Sequence, residues 1–128
     1  VEFVPSFSTL ADSSFLMAIM EHPTTWYEDI LEGVGSFKPT VLDVVQQELA
    51  KVSKGRGKRS RFAALALELS TNFATAKARS KNGKPDDELI SYAKEKRAMV
   101  ATIDGELLER LAALRVPVIT LRRGRVHV

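Results

Sequence analysis

The sequence predicts an α/β domain with a mostly parallel sheet and helices on both faces. Two observations predict it. Short apolar runs suited to strands alternate along the chain with runs of helical period, and turn signals rather than linkers, repeats or low-complexity segments separate them. Four acidic residues, Asp12, Glu48, Asp87 and Asp104, fall where strand-like and helix-like runs meet. Right-handed crossovers between successive parallel strands then put helices on both faces of the sheet.

The elements follow in order. Phe7 to Ala11 is short, apolar and β-compatible, and Phe15, Leu16, Ile19 and Met20 repeat at the three-and-four spacing of one helix face. His22-Pro23 stops that helix. An amphipathic stretch from Thr24 to Val34 closes on Gly33 and Gly35, and Phe37 to Thr40 reads as a short strand. Thr40 and Asp43 have the spacing of a capping box that opens a helix through Val41, Val44, Val45, Leu49 and Val52, with Gly55 and Gly57 ending it. Arg59 to Phe73 is an alanine- and leucine-rich helix with Ala63, Leu65, Ala66, Leu67 and Leu69 on a wide buried arc. Phe73 to Ala78 is a weak strand, Asn82 to Pro85 a turn, and Asp86 the cap of a helix carrying Leu89, Ile90, Tyr92 and Ala93. Met99 to Thr102 has the unbroken small-apolar character of a buried parallel strand. Gly105 to Leu114 is a helix and Val116 to Leu121 the last strand. Trp26, Tyr27 and the three methionines read as packing residues.

Composition bounds what such a domain does. With 128 residues and 45% apolar content, one domain spanning residues 1–128 and one core are expected. The absence of cysteine excludes structural disulfides, cysteine-ligated zinc and a thiol nucleophile, and suits a reducing cytoplasm. No apolar run approaches the roughly 18 residues of a membrane span, and the first residues lack the basic-then-apolar layout of a signal peptide. A soluble, cytoplasmic protein with no membrane partner is the expectation. The net charge is +3, but Lys51, Lys54, Arg56, Lys58, Arg59 and Arg61 crowd together around Gly55 and Gly57. Lys77, Arg79, Lys81 and Lys84 form a second basic group, and Arg122, Arg123 and Arg125 a third. Positive patches beside a negative one attract a polyanion and hold its neutralising cations.

In an open parallel sheet the ligand crevice lies beyond the carboxyl ends of the strands, where the strand order reverses. Asp12 and Asp104 each follow a strand, so neighbouring strands at such a point bring the two carboxylates side by side. Asp87 and Glu48 then project from helices into the same crevice. Four such carboxylates repel one another, which calls for a hard divalent cation; oxygen ligands suit Mg2+ or Mn2+.

The segments Leu10-Ala11-Asp12-Ser13-Ser14-Phe15-Leu16, Val45-Gln46-Gln47-Glu48-Leu49, Asp86-Asp87-Glu88-Leu89-Ile90-Ser91-Tyr92-Ala93 and Val100-Ala101-Thr102-Ile103-Asp104-Gly105-Glu106-Leu107 occur in the order of the PIN-domain family, which the chain resembles over nearly its whole length. The resemblance implies a three-layer α/β/α fold around a five-stranded, mostly parallel sheet. It implies Mg2+- or Mn2+-dependent endoribonuclease activity on single-stranded RNA, in which bound metal lowers the pKa of water and stabilises charge on the phosphate. By position, Asp12, Glu48, Asp87 and Asp104 match the family's four acids. Asp12, Asp87 and Asp104 are then metal ligands, and Glu48 helps orient the attacking water. Asp87 is preferred to Asp86 because Leu89-Ile90 follows it at the family's offset, which leaves Asp86 as the helix cap. Thr102 matches the hydroxyl residue before the last acid. The cluster Lys51, Lys54, Arg56, Lys58, Arg59 and Arg61 becomes the RNA-binding surface. The resemblance leans toward the stand-alone and ribosomal-RNA-processing branches. A non-cleaving RNA-binding module in ribosome assembly and the toxin of a toxin-antitoxin pair are the alternatives. A second copy of the chain, a ribosome-assembly factor or an antitoxin are the partners expected beside RNA.

Overall fold

A computed structural model describes residues 7–22, 25–79 and 83–128. The elements run β1 (Phe7–Ala11), α1 (Ser13–Glu21), α2 (Trp26–Val34), β2 (Phe37–Leu42), α3 (Asp43–Ser53), α4 (Lys58–Ser70), β3 (Ala74–Ala76), α5 (Pro85–Lys96), β4 (Met99–Ala101), α6 (Gly105–Ala113), β5 (Val118–Arg122) and β6 (Arg125–His127). They make three layers, a mostly parallel sheet between helices, as the sequence predicts. Pro23 of the expected helix stop, Thr24 at the start of the expected second helix, Lys81 of the second basic group and Asn82 of the expected turn lie outside the described residues.

The sheet order is β3-β2-β1-β4-β5-β6. β1 lies between β2 and β4, parallel to both, with Leu10 opposite Thr40 on one side and Val100 on the other. Strands covered on both faces lose the alternation of a half-exposed strand. Accordingly Met99, Val100 and Ala101 of β4 are all buried, as are Thr9, Leu10 and Ala11 of β1. Leu16, Ile19, Leu42, Leu49, Leu89, Leu107, Leu111 and Ile119 complete a core with almost no exposure. No helix among the described residues is long and apolar enough to cross a membrane.

The sheet has a sixth strand beyond the five expected. β6 runs antiparallel to β5, pairing Leu121 with Val126 and Arg122 with Arg125. The turn residues Arg123 and Gly124 have φ of 52° and 75°. Positive φ at both central positions is the backbone of the two-residue hairpin turn that matches strand twist. The arginines of the hairpin conceal its alternation, in which Leu121 and Val126 pack against the core.

Three helix details differ from expectation. Thr40 does not cap α3: it is buried in β2 and its hydroxyl donates to the carbonyl of Lys38 at 3.1 Å, while Leu42 occupies the cap position. Asp43 instead begins the helix, and its Oδ1 accepts from the backbone N–H of Val44 (2.8 Å) and Ala78 (2.9 Å), tying α3 to the segment after β3. On α4, Leu65 is 47% exposed, and the buried positions are Ser60, Ala63, Ala66 and Ser70. α4 packs along α3 and against α1, where small residues permit close approach. Gln46 of α3 donates to the Ser70 hydroxyl across that contact. Finally, α5 starts at Pro85 with Lys84 in the cap position and no side-chain cap bond, so Asp86 sits inside the first turn and does not cap. Proline at the first helical position is favoured because its missing N–H has no helical partner to lose.

Candidate functional site

β1 and β4 are the neighbours at which the sheet order reverses, and their ladder delivers both C-terminal acids to one edge. Ala11 pairs with Ala101, and the ladder continues one residue further: Asp12 N–H donates to the carbonyl of Ala101 at 2.9 Å, and Thr102 N–H to that of Ile119 at 3.0 Å. Asp12 and Thr102 are therefore held by sheet hydrogen bonds, beyond the last residues of their strands. Asp12 occupies the cap position of α1 without using its carboxylate as a cap.

That carboxylate is buried at 3% exposure, and its Oδ2 accepts two hydroxyl hydrogen bonds, from Ser14 (2.6 Å) and Thr102 (2.8 Å). The hydroxyls are in turn fed by backbone: Ile103 N–H donates to Ser14 Oγ and Asp104 N–H to Thr102 Oγ1. Each relay runs from amide to hydroxyl to carboxylate, and such chains polarise one another. Asp104 caps α6, with Oδ1 accepting from Leu107 N–H at 3.1 Å. Glu48 extends from α3 and its Oε1 accepts from Ser13 Oγ.

One oxygen of each of these three carboxylates is thus anchored. Among the described residues the other one, Oδ1 of Asp12, Oε2 of Glu48 and Oδ2 of Asp104, accepts no hydrogen bond. Anchoring one oxygen while freeing its twin is how outer hydrogen bonds orient a metal ligand.

For the fourth acid the structure brings two neighbours, Asp86 and Asp87, to the cleft. Burial raises the Asp86 carboxyl above its ordinary value, and the charges of Asp12, Asp104 and Glu48 raise it further, while Arg110 opposes them. Asp86 therefore shares the field of the three anchored acids. Asp87, the expected ligand, also borders the cleft, but its Oδ1 is 2.7 Å from Arg110 Nη2 of α6 in a half-exposed ion pair.

These side chains border a cleft of about 1060 Å³. Asp12, Glu48, Asp86, Asp87 and Asp104 line it together with four cations, Lys58, Arg59, Lys84 and Arg110. Of the six basic residues expected to bind a polyanion, Lys58 and Arg59 reach the cleft, while Lys51, Lys54, Arg56 and Arg61 do not line it. The run is split between α3 and α4, leaving residues 54–57 as the connection. Lys84 comes from the second basic group of the sequence, whereas Ser13, Ser14 and Arg110 were given no role from sequence; the paired serines directly after Asp12 were the visible clue to the first two.

Among the described residues no three histidine, aspartate or glutamate side chains stand close enough together to hold a metal ion as they are placed. The donor set nonetheless fits a hard cation: every free oxygen belongs to a carboxylate, and the charges of Asp12, Asp104 and Glu48 raise the cost of ionising Asp86 beside them. An open border suits magnesium, which keeps several waters and takes only one or two carboxylates directly.

The raised Asp86 value has a measurable sign. The folded protein retains this proton to higher pH than the unfolded chain, so stability is lost as pH rises from the ordinary carboxylate range through the native value. In a chelating buffer, Asp86→Asn should melt above the wild type at neutral pH. The gap should close on acidification, when wild-type Asp86 is itself neutral. Melting curves at a series of pH values check this; a gap that widens toward acid contradicts it.

Comparison with known proteins agrees with this architecture. The chain is similar to Ribonuclease VapC4 of Methanocaldococcus jannaschii, 27% identical over 124 residues and covering 93% of each chain. Its fold matches the structure of the PIN domain endonuclease Utp24 with a TM-score of 0.80 at 20% identity, over 96% of this chain and 91% of that one. It also matches a domain of a functionally unknown protein from Methanocaldococcus jannaschii, with a TM-score of 0.67 at 14% identity and 96% coverage of both. The family described as PIN like domain matches residues 9–125, a span from β1 to the final hairpin that includes every acid of the cleft, and the chain belongs to that family.

Proposed function

We propose that the protein is a divalent-metal-dependent ribonuclease that hydrolyses phosphodiester bonds of single-stranded RNA in this cleft. One observation carries the reading: Asp12, Glu48 and Asp104 each keep one oxygen anchored and one free, beside Asp86, in a cleft whose wall also holds Lys58, Arg59, Lys84 and Arg110. The similarity to a ribonuclease and to an endonuclease fold supports it. A bound Mg2+ or Mn2+ would supply an acidified water and charge neutralisation at the phosphate. The chain's own contribution is to hold Asp12 and Asp104 at adjacent strand ends, to keep Asp12 fixed through Ser14 and Thr102, and to place cations where the phosphate backbone enters. No histidine lines the cleft, so the carboxylates are the groups available to orient the attacking water. Incubating the protein with a labelled single-stranded RNA in manganese should give internal cuts that chelation stops; intact RNA under all metal conditions would refute the reading.

The cations make a separate prediction. Replacing Lys58 and Arg59 with glutamine should weaken RNA binding alike for all sequences and flatten its salt dependence by about 0.7 per lost phosphate contact. Replacing Lys54 and Arg56, which do not line the cleft, should change the slope less. Binding titrations at several salt concentrations distinguish the pairs, and equal slopes for both variants would remove the assignment of Lys58 and Arg59.

A further inference from the structure

We propose that Phe62 is a stacking platform for a nucleobase of the RNA, seated on the apolar wall of the cleft. The inference rests on the ribonucleolytic reading and names how the same site holds the strand. The cleft, about 1060 Å³, is at the upper end of what a whole drug-sized ligand occupies, so cations and a phosphate leave much of it unfilled. Besides acids and cations its lining includes Met17, Leu49, Val52 and Ile103, and among the described residues Phe62 is its one aromatic side chain.

Packing does not account for that ring. Phe15 is buried; Tyr92, Trp26 and Phe73 pack against the core; Tyr27 and Phe37 pair ring to ring at 4.9 Å. Phe62 is half-buried, outside the core cluster, and takes part in none of the ring pairs among the described residues. On α4 it stands four residues after Lys58 and three after Arg59, so the three side chains share one helix face. All three line the cleft. A basic groove that follows the backbone, combined with an aromatic face for the base, is the chemistry that grips single-stranded nucleic acid without reading its sequence.

The test uses an Asp12→Asn protein, to prevent cutting, and single-stranded RNAs carrying 2-aminopurine at successive positions, in magnesium. One position should be quenched on binding. Adding Phe62→Ala should abolish the quench and weaken binding about 5- to 150-fold, the range for one base stacked on an aromatic side chain. Phe62→Tyr should retain both, and Phe62→Leu, which keeps apolar bulk without the ring, should lose both. An abasic nucleotide at the quenched position should cost the Phe62 protein as much as Phe62→Ala does and cost the alanine variant nothing more. Unchanged affinity in the leucine and alanine variants, equal losses for intact and abasic strands, or no quench at any position would overturn the proposal. Cleavage by the wild type is read separately. Cutting without quenching refutes only the platform, whereas quenching without cutting leaves the platform standing and removes the ribonuclease reading.

Discussion

Asp12→Asn is expected to reduce metal-dependent RNA cleavage roughly a thousandfold while leaving the protein folded. The activity loss follows from its place: the buried carboxylate offers one oxygen to the cleft, and losing a ligand that supports Lewis-acid activation removes several kcal/mol of barrier lowering, about 1.4 kcal/mol per tenfold. The retained fold follows from its hydrogen bonds. An asparagine carbonyl can still accept from Ser14 and Thr102, with the amide nitrogen replacing the free oxygen. One negative charge also leaves a cluster whose members repel, so stability without metal should hold or rise. Melting curves in chelator, paired with single-turnover cleavage in manganese, separate the two effects. Full activity in the variant ends the site assignment, and an unfolded variant makes Asp12 structural.

The second large effect distinguishes two adjacent residues. Asp86→Asn should lower cleavage about 10- to 100-fold, the scale seen when groups holding a metal site are altered. Asp87→Asn should stay within about fivefold of wild type, since it breaks an ion pair of half-exposed groups worth at most about 1 kcal/mol. Removing Asp87 also frees Arg110, which lines the same cleft, so binding of RNA should hold or improve in that variant. Steady-state cleavage rates for both variants at equal manganese decide between the positions. The reverse order, with Asp87→Asn the more damaging, would restore Asp87 as the residue nearer the chemistry.

Much of this architecture was legible in the residues because the governing signals are local. Met99 to Ala101 is an unbroken apolar run because β4 is covered on both faces, and Asp12 and Asp104 stand out because each follows a strand. Their adjacency required one further inference, that β1 and β4 are neighbours where the order reverses, and the ladder through Ala11 and Ala101 bears that out. What was not legible depends on orientation. Choosing between Asp86 and Asp87 requires the phase of α5, which begins at Pro85, and both residues line the cleft. The exposure of Leu65 depends on how closely α4 approaches α1 and α3, a tertiary fact that selects Ser60, Ala63, Ala66 and Ser70 for the interior. β6 was hidden because its arginines lie on a hairpin whose apolar partners are only half-buried. The cation cluster was visible as composition, but the residues that reach the cleft depend on where α4 begins.

Locating manganese directly tests the central claim, that the acids beyond β1 and β4 form a divalent-metal site. Crystals of the protein soaked in manganese should give an anomalous scattering peak in the cleft, with carboxylate oxygens of Asp12 and Asp104 in its coordination shell and Asp86 or Glu48 bound directly or through water; a cleft without a peak at manganese concentrations that support RNA cleavage would contradict the account.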